Sequence, residues 1–209
     1  MDRSLYIPPA HGVTDLKLLH DFMDEFAFAD LITGLPLRIT HLPVLLDRSA
    51  GENGTILGHI ARQNEQIQAF DGEQDAVIVF RGPHAYISPT CYQTNPAVPT
   101  WNFAAVHASG KLRPVIERDA LHTLVTRLVR KFEAPDTVYD VSQLPESYTN
   151  KMLGAIVGFE MRVEHLEGKF KLGQERIEGD RKGILQYLQH PFQERSLLDL
   201  TQSFYLRKA

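Results

Sequence analysis

Apolar side chains that recur every three or four residues predict most of the helices in this chain. Thr14 is the expected N-cap of the first helix and Asp119 that of the second, because both side chains can accept a backbone N–H at a helix start. Pro145 suits the first turn of a third helix, where its missing N–H is not needed. The predicted helices span residues 13–26, 63–70, 119–132, 145–154 and 177–188, with a tail helix after Pro191.

Shorter runs that are apolar throughout, or that alternate apolar with polar residues, predict strands. Residues 37–46 and 55–61 lie on either side of the turn-forming segment 47–54, so we expect them to form one hairpin. Residues 82–101 hold prolines and aromatics without a period and are expected to form a long loop. The other predicted strands are 75–81, 102–115 and 156–166.

Strands and helices do not alternate regularly along the chain, which argues against a doubly wound parallel sheet. The pattern favours an α+β fold that is mainly β: a small antiparallel barrel with helices around it. No linker rich in Pro, Gly or Ser divides the sequence, so we predict a single domain over residues 1–209. Its C-terminal part, about residues 177–209, is expected to be a helical extension.

The charge and cysteine content narrow the class of protein. Against 26 acidic residues stand 22 basic ones, so a net charge of −4 provides no general attraction for nucleic acid. The single cysteine, Cys91, excludes a disulfide within the chain and a cysteine-cluster zinc site. No apolar run approaches the roughly 18 residues of a membrane-spanning helix, and the N-terminus has no signal-like apolar stretch. We therefore expect a cytoplasmic protein without a membrane partner.

Histidines are the most abundant candidates for chemistry, with nine in the chain. His41, His59, His84 and His107 lie on or beside predicted strands, and imidazole is a common metal ligand. Carboxylates at ligand spacing are missing, so histidines that line a polar pocket are favoured over a metal site, and no metal ligand is predicted. P-loop, dinucleotide-binding and nucleophile-elbow motifs are absent, and the catalytic residues stay unassigned.

Two segments have a composition that favours ligand binding. In GHIARQN, residues 58–64, Arg62 and Asn64 follow a strand end, where a guanidinium fork and an amide suit a phosphate. A solvated arginine on a loop is the alternative. In residues 81–103, aromatic side chains lie between prolines. They either stack on a flat ring or a dimer partner, or fold back as core.

The sequence resembles the PaiB family, which is described as FMN-binding negative transcriptional regulators. The resemblance extends to about Leu188 and rests on nine segments in the family's order. They are YIPPA (6–10), THLPVLLD (40–47), GHIARQN (58–64), FRGPHAYISPTCY (80–92), VPTWNF (98–103), VHASGKL (106–112), LPESY (144–148), MLGAIVGFEM (152–161) and LEGKFKLGQER (166–176).

The resemblance implies an FMN-binding split β-barrel, antiparallel and with peripheral helices, that forms a homodimer with the flavin between subunits. By position, Arg62 and Asn64 hold the phosphate, and Thr40 and His41 lie near the flavin edge. The other implied cofactor-binding residues are His59 and Ala61 on the same hairpin, Trp101 and Asn102 completing the pocket across the dimer, and Lys171, Gln174 and Arg176 near the phosphate or ribityl chain.

The chain departs from the family pattern at a few positions. Cys91 stands where the family has Trp, and the segment 65–67 (Glu-Gln-Ile) replaces Pro-x-Trp. Gly173 and Glu175 replace Ser and Asn in the C-terminal motif. If the strand that carries Glu175 faces the FMN phosphate, the added carboxylate repels that phosphate. FMN is then expected to bind less tightly.

Four functions follow as hypotheses. The first is a PaiB-type regulator with FMN as cofactor, whose partners are a second copy and DNA, contacted directly or indirectly. The second is an FMN-dependent oxidoreductase that acts on a small molecule with NAD(P)H, with His41, His59 or His84 as proton donor. The third is a haem-binding split barrel. The fourth is a structural dimer without a cofactor.

Overall fold

The structure is a computed structural model that describes residues 5–134, 136–137, 139–189 and 195–207. The described chain divides into two compact units. The first contains residues 16–80 and 107–166, and the second contains residues 5–15, 81–106 and the described residues after 166. The single domain inferred from the sequence stays a prediction.

Eight strands and five α-helices form the secondary structure of the described residues. The strands are β1 (Gly12–Val13), β2 (Phe28–Thr33), β3 (Arg38–Pro43), β4 (Leu45–Asp47), β5 (Thr55–Ala61), β6 (Asp75–Ile87), β7 (Thr100–Val115) and β8 (Ile156–Lys171). The α-helices are α1 (Leu16–Glu25), α2 (Arg118–Phe132), α3 (Glu146–Gly154), α4 (Glu178–Leu188) and α5 (Arg195–Arg207). None of these helices is long and apolar enough to cross a membrane.

The strands join in the order β3-β2-β6-β7-β8-β5-β4, with β1 paired to β8. The pairs with a defined register are antiparallel: β1 with β8, β2 with β3 and with β6, β4 with β5, and β5 with β8. This arrangement confirms the predicted α+β class, mainly β, with an antiparallel sheet and peripheral helices.

The hairpin predicted over residues 37–61 is wrong in its first half. The apolar run breaks at Val44, whose N–H donates to Ala27 O at 2.9 Å instead of continuing a strand. Before the break, β3 pairs with β2, so that Ile39 lies opposite Ile32. After it, β4 pairs with β5 as expected. The turn that contains Gly34 folds the chain back on β2, and this nearer partner takes β3.

The long loop predicted over residues 82–101 is also shorter in the structure. Strand β6 continues to Ile87 and β7 begins at Thr100, which leaves only residues 88–99 as a connection. Along β6, Pro83, Ala85 and Ile87 are buried whereas the residues between them face solvent. The period of two was present, but prolines and aromatics on alternating positions concealed it.

The predicted helices are confirmed except for the short 3-10 helix Glu65–Ala69 and the caps. Helix α1 begins at Leu16, two residues after Thr14. Helix α2 has Glu117 at its N-cap, which places Asp119 in the first turn. The predicted tail helix after Pro191 is found as α5, while Pro191 itself lies outside the described residues.

Helix α2 packs its leucines on one face of the sheet in the first unit. Leu121, Leu124 and Leu128 join Leu45 of β4 and Leu153 of α3 in one buried cluster. Partly buried apolar residues of β5, α2 and β8 pack against the cluster, namely Leu57, Val125 and Ile156. The outward face of β5 at this end of the sheet is therefore covered by the helices.

The opposite face of β5 requires a glycine. Gly58 lies opposite Phe159 of β8, and a Cβ at position 58 would lie 2.7 Å from the ring of that phenylalanine. The ring is fully buried and also contacts Phe70, with ring centroids 5.3 Å apart. Because the phenylalanine has no free space to move into, the strand pair depends on the missing side chain.

We expect Gly58→Ala to lower the free energy of unfolding by about 1–3 kcal/mol, because one methyl overpacks the contact with Phe159. Urea denaturation followed by circular dichroism measures the change. Gly154→Ala is the matched control, since a Cβ at position 154 meets no atom within 4 Å. An alanine at position 58 that is as stable as the control would contradict the packing account.

Candidate functional site

In the first unit, three polar side chains form a connected network where β3 meets the start of the helical turn 65–69. The Nδ2 of Asn64 donates to the hydroxyl of Thr40 at 2.9 Å. That hydroxyl donates to Oε1 of Gln66 at 2.5 Å. Thr40 and Asn64, two of the predicted site residues, are therefore brought together through a direct hydrogen bond.

Gln66 is the member of this network that sequence reasoning missed. Its side chain is buried, and its Nε2 lies within hydrogen-bond distance of Leu31 O, Thr33 Oγ1 and Arg38 O, at 3.1–3.2 Å. Its backbone N–H donates to Oδ1 of Asn64, which caps the helical turn. The departures from the family pattern fall on its neighbours Glu65 and Ile67, and the burial of Gln66 itself is not readable from the sequence.

Arg62 lies just beyond β5 and is exposed. Its Nε donates to Gly154 O at 2.7 Å, and its Nη2 donates to Ile156 O at 2.9 Å. The guanidinium thus links the end of α3 to the start of β8. Since a guanidinium has five N–H groups, donors remain on the same fork for an anion.

Neighbouring residues on a strand face opposite sides, and this separates two predicted pairs. His41 follows Thr40 on β3, is exposed, and pairs through Nδ1 with the carboxylate of Asp30. Trp101 and Asn102 are likewise consecutive on β7. Trp101 is 53% exposed whereas Asn102 is 1% exposed, so the two side chains serve different faces.

His59 and Ala61 share the outward face of β5 with Leu57. Burial lowers the pKa of His59, so the ring is neutral at pH 7. Its Nδ1 has no hydrogen-bond partner among the described residues. Ala61 is exposed at the end of the strand.

In the second unit, an aromatic surface and a buried amide lie on the two faces of β7. The ring of Trp101 has His84 at a centroid distance of 5.5 Å and Tyr86 at 6.4 Å, on the neighbouring strand β6. On the other face, Nδ2 of Asn102 is buried and has no partner among the described residues. A buried amide donor without an acceptor costs about 1–3 kcal/mol, so it marks a place where a ligand acceptor is favoured.

Lys171 ends β8 and donates through Nζ to the hydroxyl of Thr100 at the start of β7. The turn that follows Lys171 explains why glycine stands at position 173, where the family has serine. Gly173 has φ +78°, and a Cβ there would lie 2.6 Å from Ile184 of α4. Gln174 fastens the same turn, since it accepts from Leu172 N at 2.8 Å and donates to Ala10 O at 3.0 Å.

Glu175 does not stand alone in this turn, because His11 lies beside it. The distance between His11 Nδ1 and Glu175 Oε2 is 3.9 Å. Burial lowers the pKa of His11 and the carboxylate raises it, while Lys171 and Lys169 lower it further. The net direction is downward, so the pKa of His11 is below its usual range and the imidazole is uncharged at neutral pH.

Arg176 packs against an aromatic ring and a buried carboxylate. Its guanidinium carbon lies 3.8 Å from the ring centroid of Tyr92, and its Nη1 is 3.4 Å from Oδ2 of Asp180. Asp180 also accepts from Gln93 N, Thr94 N and Thr94 Oγ1 at 2.7–3.0 Å. Burial alone would raise the pKa of Asp180, but these hydrogen bonds outweigh it and hold the pKa below its usual range.

The other candidate chemistry is weak by comparison. Burial raises the pKa of the Cys91 thiol, so it is protonated at neutral pH. Among the residues that the structure describes, no group of three or more His, Cys, Asp or Glu side chains is placed to hold a metal ion.

The antiparallel sheet with peripheral helices places the chain in the class of split β-barrel proteins. Two solved structures share the fold: the flavocytochrome of Azotobacter vinelandii, with TM-score 0.60 and 12% identity over 81% of this chain and 74% of that one, and the FAD and heme binding protein of Mycobacterium smegmatis, with TM-score 0.58 and 13% identity over 77% and 73%.

The sequence identifies the family within this class. The chain belongs to the family described as "Putative FMN-binding domain", which matches residues 5–165. It is 34% identical to the protease synthase and sporulation protein PAI 2 of Bacillus subtilis, over 89% of this chain and 90% of that protein. It is 31% identical to an uncharacterized protein of Aspergillus fumigatus, over 87% and 90%. The resemblance to the PaiB family is thereby confirmed.

We expect Asp180→Asn to lower the free energy of unfolding at pH 7, because an amide cannot accept all the hydrogen bonds that now reach the carboxylate. A depressed pKa contributes stability above the ordinary Asp pKa of about 3.9 and loses it as the pH falls through the native value. The two proteins should therefore converge in strongly acidic solution. Urea unfolding between pH 2 and 7 measures both limits.

Glu178→Gln is the control for this series, because its carboxylate pairs with Lys182 on the solvent side of α4. Its effect at pH 7 should be much smaller, as expected for an exposed ion pair. A constant gap between the wild type and the Asp180→Asn variant across the pH range would contradict the role of the ionised carboxylate.

Proposed function

We propose that this chain binds FMN and acts as a homodimer with the flavin at the subunit interface. The observation that carries the proposal is the buried, unpartnered amide of Asn102 in a member of an FMN-binding family. A flavin ring presents carbonyl oxygens and ring nitrogens as hydrogen-bond acceptors, which is what this donor lacks. The residues present therefore fit the group.

The phosphate has two candidate cations. Arg62 keeps free N–H groups beyond those on Gly154 and Ile156, and Asn64 lies two residues further on. Lys171 donates one N–H of its ammonium group to Thr100 and has two others. Because the flavin is proposed to lie between subunits, the two cations need not come from the same chain. When bound, FMN supplies the redox chemistry, and these residues bind and orient it.

The homodimer is supported by an exposed face of the β2–β3 hairpin, where apolar residues lie on either side of the Asp30–His41 pair. On this face Phe28 lies opposite Pro43 and Ile32 lies opposite Ile39. Phe28 is 69% exposed and Ile39 is 54% exposed. Large apolar side chains side by side at a sheet edge favour a partner, and a second copy in a two-fold arrangement is the commonest one.

The regulatory role is proposed to be indirect with respect to DNA. The basic residues of α2 are largely neutralised by carboxylates of the same unit: Arg127 lies 3.3 Å from Asp47, and Lys131 lies 2.9 Å from Asp24. With a net charge of −4 as well, the chain has little attraction for a phosphate backbone. A PaiB-type regulator of this kind would act through a partner protein or through a signal molecule.

The decisive experiment is an absorption spectrum of the purified protein before and after addition of FMN. A two-band flavin spectrum that survives gel filtration is the expected result. Bleaching by NAD(P)H with reoxidation by a turnover substrate would favour the oxidoreductase hypothesis. A Soret band would favour haem, and no uptake of either cofactor would leave a structural dimer.

We expect Arg62→Ala to weaken FMN binding by about 1.5–3 kcal/mol, because a charge-assisted contact to the phosphate is lost. Fluorescence titration of FMN measures the affinity, and circular dichroism checks the fold, since the arginine also ties α3 to β8. Arg130→Ala, on the exposed side of α2, is the control. Unchanged FMN affinity in a folded Arg62→Ala protein would refute the assignment.

We expect Ile39→Asp to convert the dimer into a monomer, because a carboxylate buried without a partner in the interface is strongly unfavourable. Light scattering coupled to gel filtration gives the mass. Ile116→Asp is the matched control, since Ile116 is 62% exposed and lies between β7 and α2. A dimer that tolerates the aspartate at position 39 would exclude this face as the interface.

A further inference from the structure

A polar cleft lies in the first unit, and the Thr40–Asn64–Gln66 network is not part of its lining. Its volume is about 400 Å³, which is within the size range of small-molecule sites. Its lining includes Thr55, Lys111, Arg113, Glu160, Arg162 and Glu164. Most of these side chains are charged, which sets the cleft apart from an apolar pocket.

The floor of the cleft is the outward face of the strands β5, β8 and β7. Glu160, Arg162 and Glu164 alternate with buried residues along β8, so their side chains share one face. Thr55 of β5 lies directly opposite Arg162. The leucines of α2 cover this face further along, next to Gly158, where a Cβ would lie 3.0 Å from Leu121.

One wall of the cleft is the loop between β4 and β5. This loop is held to the floor by Thr55, whose hydroxyl donates to Ala50 O at 2.8 Å. At Gly51 the backbone has φ +91°, and a Cβ there would lie 3.2 Å from Nε of Arg162. The guanidinium of that arginine therefore lies against the loop.

The other wall is the turn that precedes β6. Lys111 donates through Nζ to Glu73 O at 2.8 Å, and Gly72 N donates to Leu112 O at 2.8 Å. At Gly72 the backbone has φ +75°, and a Cβ there would lie 3.5 Å from Cγ of Arg113. Both walls are therefore fixed by hydrogen bonds to the strands, which preorganises the cleft for a ligand.

Most of the charged side chains in the cleft have no partner within the described part of the chain. The side chains of Arg113, Arg162, Glu160 and Glu164 make no hydrogen bond or ion pair with any residue in the described part of the chain. Cations and carboxylates thus lie in one cleft without neutralising each other at ion-pair distance. A ligand with a charge of each sign would satisfy both sets, since charge-assisted hydrogen bonds are the strong ones.

We propose that this cleft binds a small zwitterion, a molecule whose carboxylate is held by Arg162 and Arg113 and whose ammonium is held by Glu160 or Glu164. Residues two apart on one strand face are separated by about 7 Å, which a short aliphatic chain between the two charged groups spans. A simple anion fits less well because the two glutamates repel it. The proposal does not depend on FMN binding.

The test uses three probes of one chain length: 5-aminopentanoate, pentanoate and n-pentylamine. Isothermal titration of the full-length protein at low ionic strength should show saturable binding of the zwitterion that is about tenfold tighter than binding of either singly charged probe. Equal binding of pentanoate and 5-aminopentanoate would overturn the proposal in favour of an anion site. The absence of saturable binding by all three would also overturn it.

Variants locate the binding. Arg162→Met keeps an unbranched apolar stem but removes the guanidinium, and it should weaken binding of 5-aminopentanoate about tenfold or more. Glu160→Gln combined with Glu164→Gln should reduce binding of 5-aminopentanoate to the level of pentanoate. Arg113→Met is the second variant if the Arg162→Met protein does not fold. Arg118→Met, outside the cleft, is the control. Undiminished binding in folded cleft variants would overturn the assignment, while FMN uptake, measured in parallel, should be unchanged.

Discussion

The amide of Gln66 links the strands β2 and β3 in the first unit to one short helical turn. Its Nε2 lies near the carbonyls of Leu31 and Arg38, and its Oε1 accepts from Thr40. Each such group, if left buried and unsatisfied, would cost about 1–3 kcal/mol, so the amide is held in one orientation. That orientation positions Asn64, whose side chain contacts both Gln66 N and Thr40. The position of Arg62 then follows from the chain, because it lies between β5 and the capped turn.

The hydrogen bonds that fix Arg62 within the protein use N–H donors that a ligand would otherwise accept from. Arg62 spends part of its guanidinium on Gly154 and Ile156, so a phosphate would meet a fork that is already oriented. Orientation before binding lowers the entropy lost on binding. Arg176 differs, because its guanidinium lies between Tyr92 and the carboxylate of Asp180. An arginine neutralised in this way adds little positive potential for a phosphate, so we regard Arg62 and Lys171 as the stronger candidates.

The sequence predicted the elements better than the partners of those elements. Periodicity identified α2 and the first part of β8, because a stripe of leucines or a strict alternation is a local property of the chain. It stopped at Leu166, where the alternation weakens, although the strand continues to Lys171. The pairing of β3 with β2 rather than with β5 depends on which strand the turn brings closest, and that is not local. Likewise, the motif grouped Trp101 with Asn102, although a strand directs consecutive side chains to opposite faces. The strand predicted from the sequence begins at Asn102, which places Trp101 in a loop, and the alternation applies to the pair only because β7 begins at Thr100.

The two departures in the C-terminal motif have local physical reasons that a comparison of motifs does not reveal. Gly173 allows the positive φ of the turn and leaves room for Ile184, so a larger residue there would be strained and would force the Ile184 side chain to move. Glu175 lies near His11, and Lys171 and Lys169 act on that histidine, so nearby cations offset part of the repulsion of an anion. At acidic pH a protonated His11 would offset more of it. The charge that an approaching phosphate meets is therefore set by this group of side chains together, and the substitution at position 175 alone does not decide whether FMN binds.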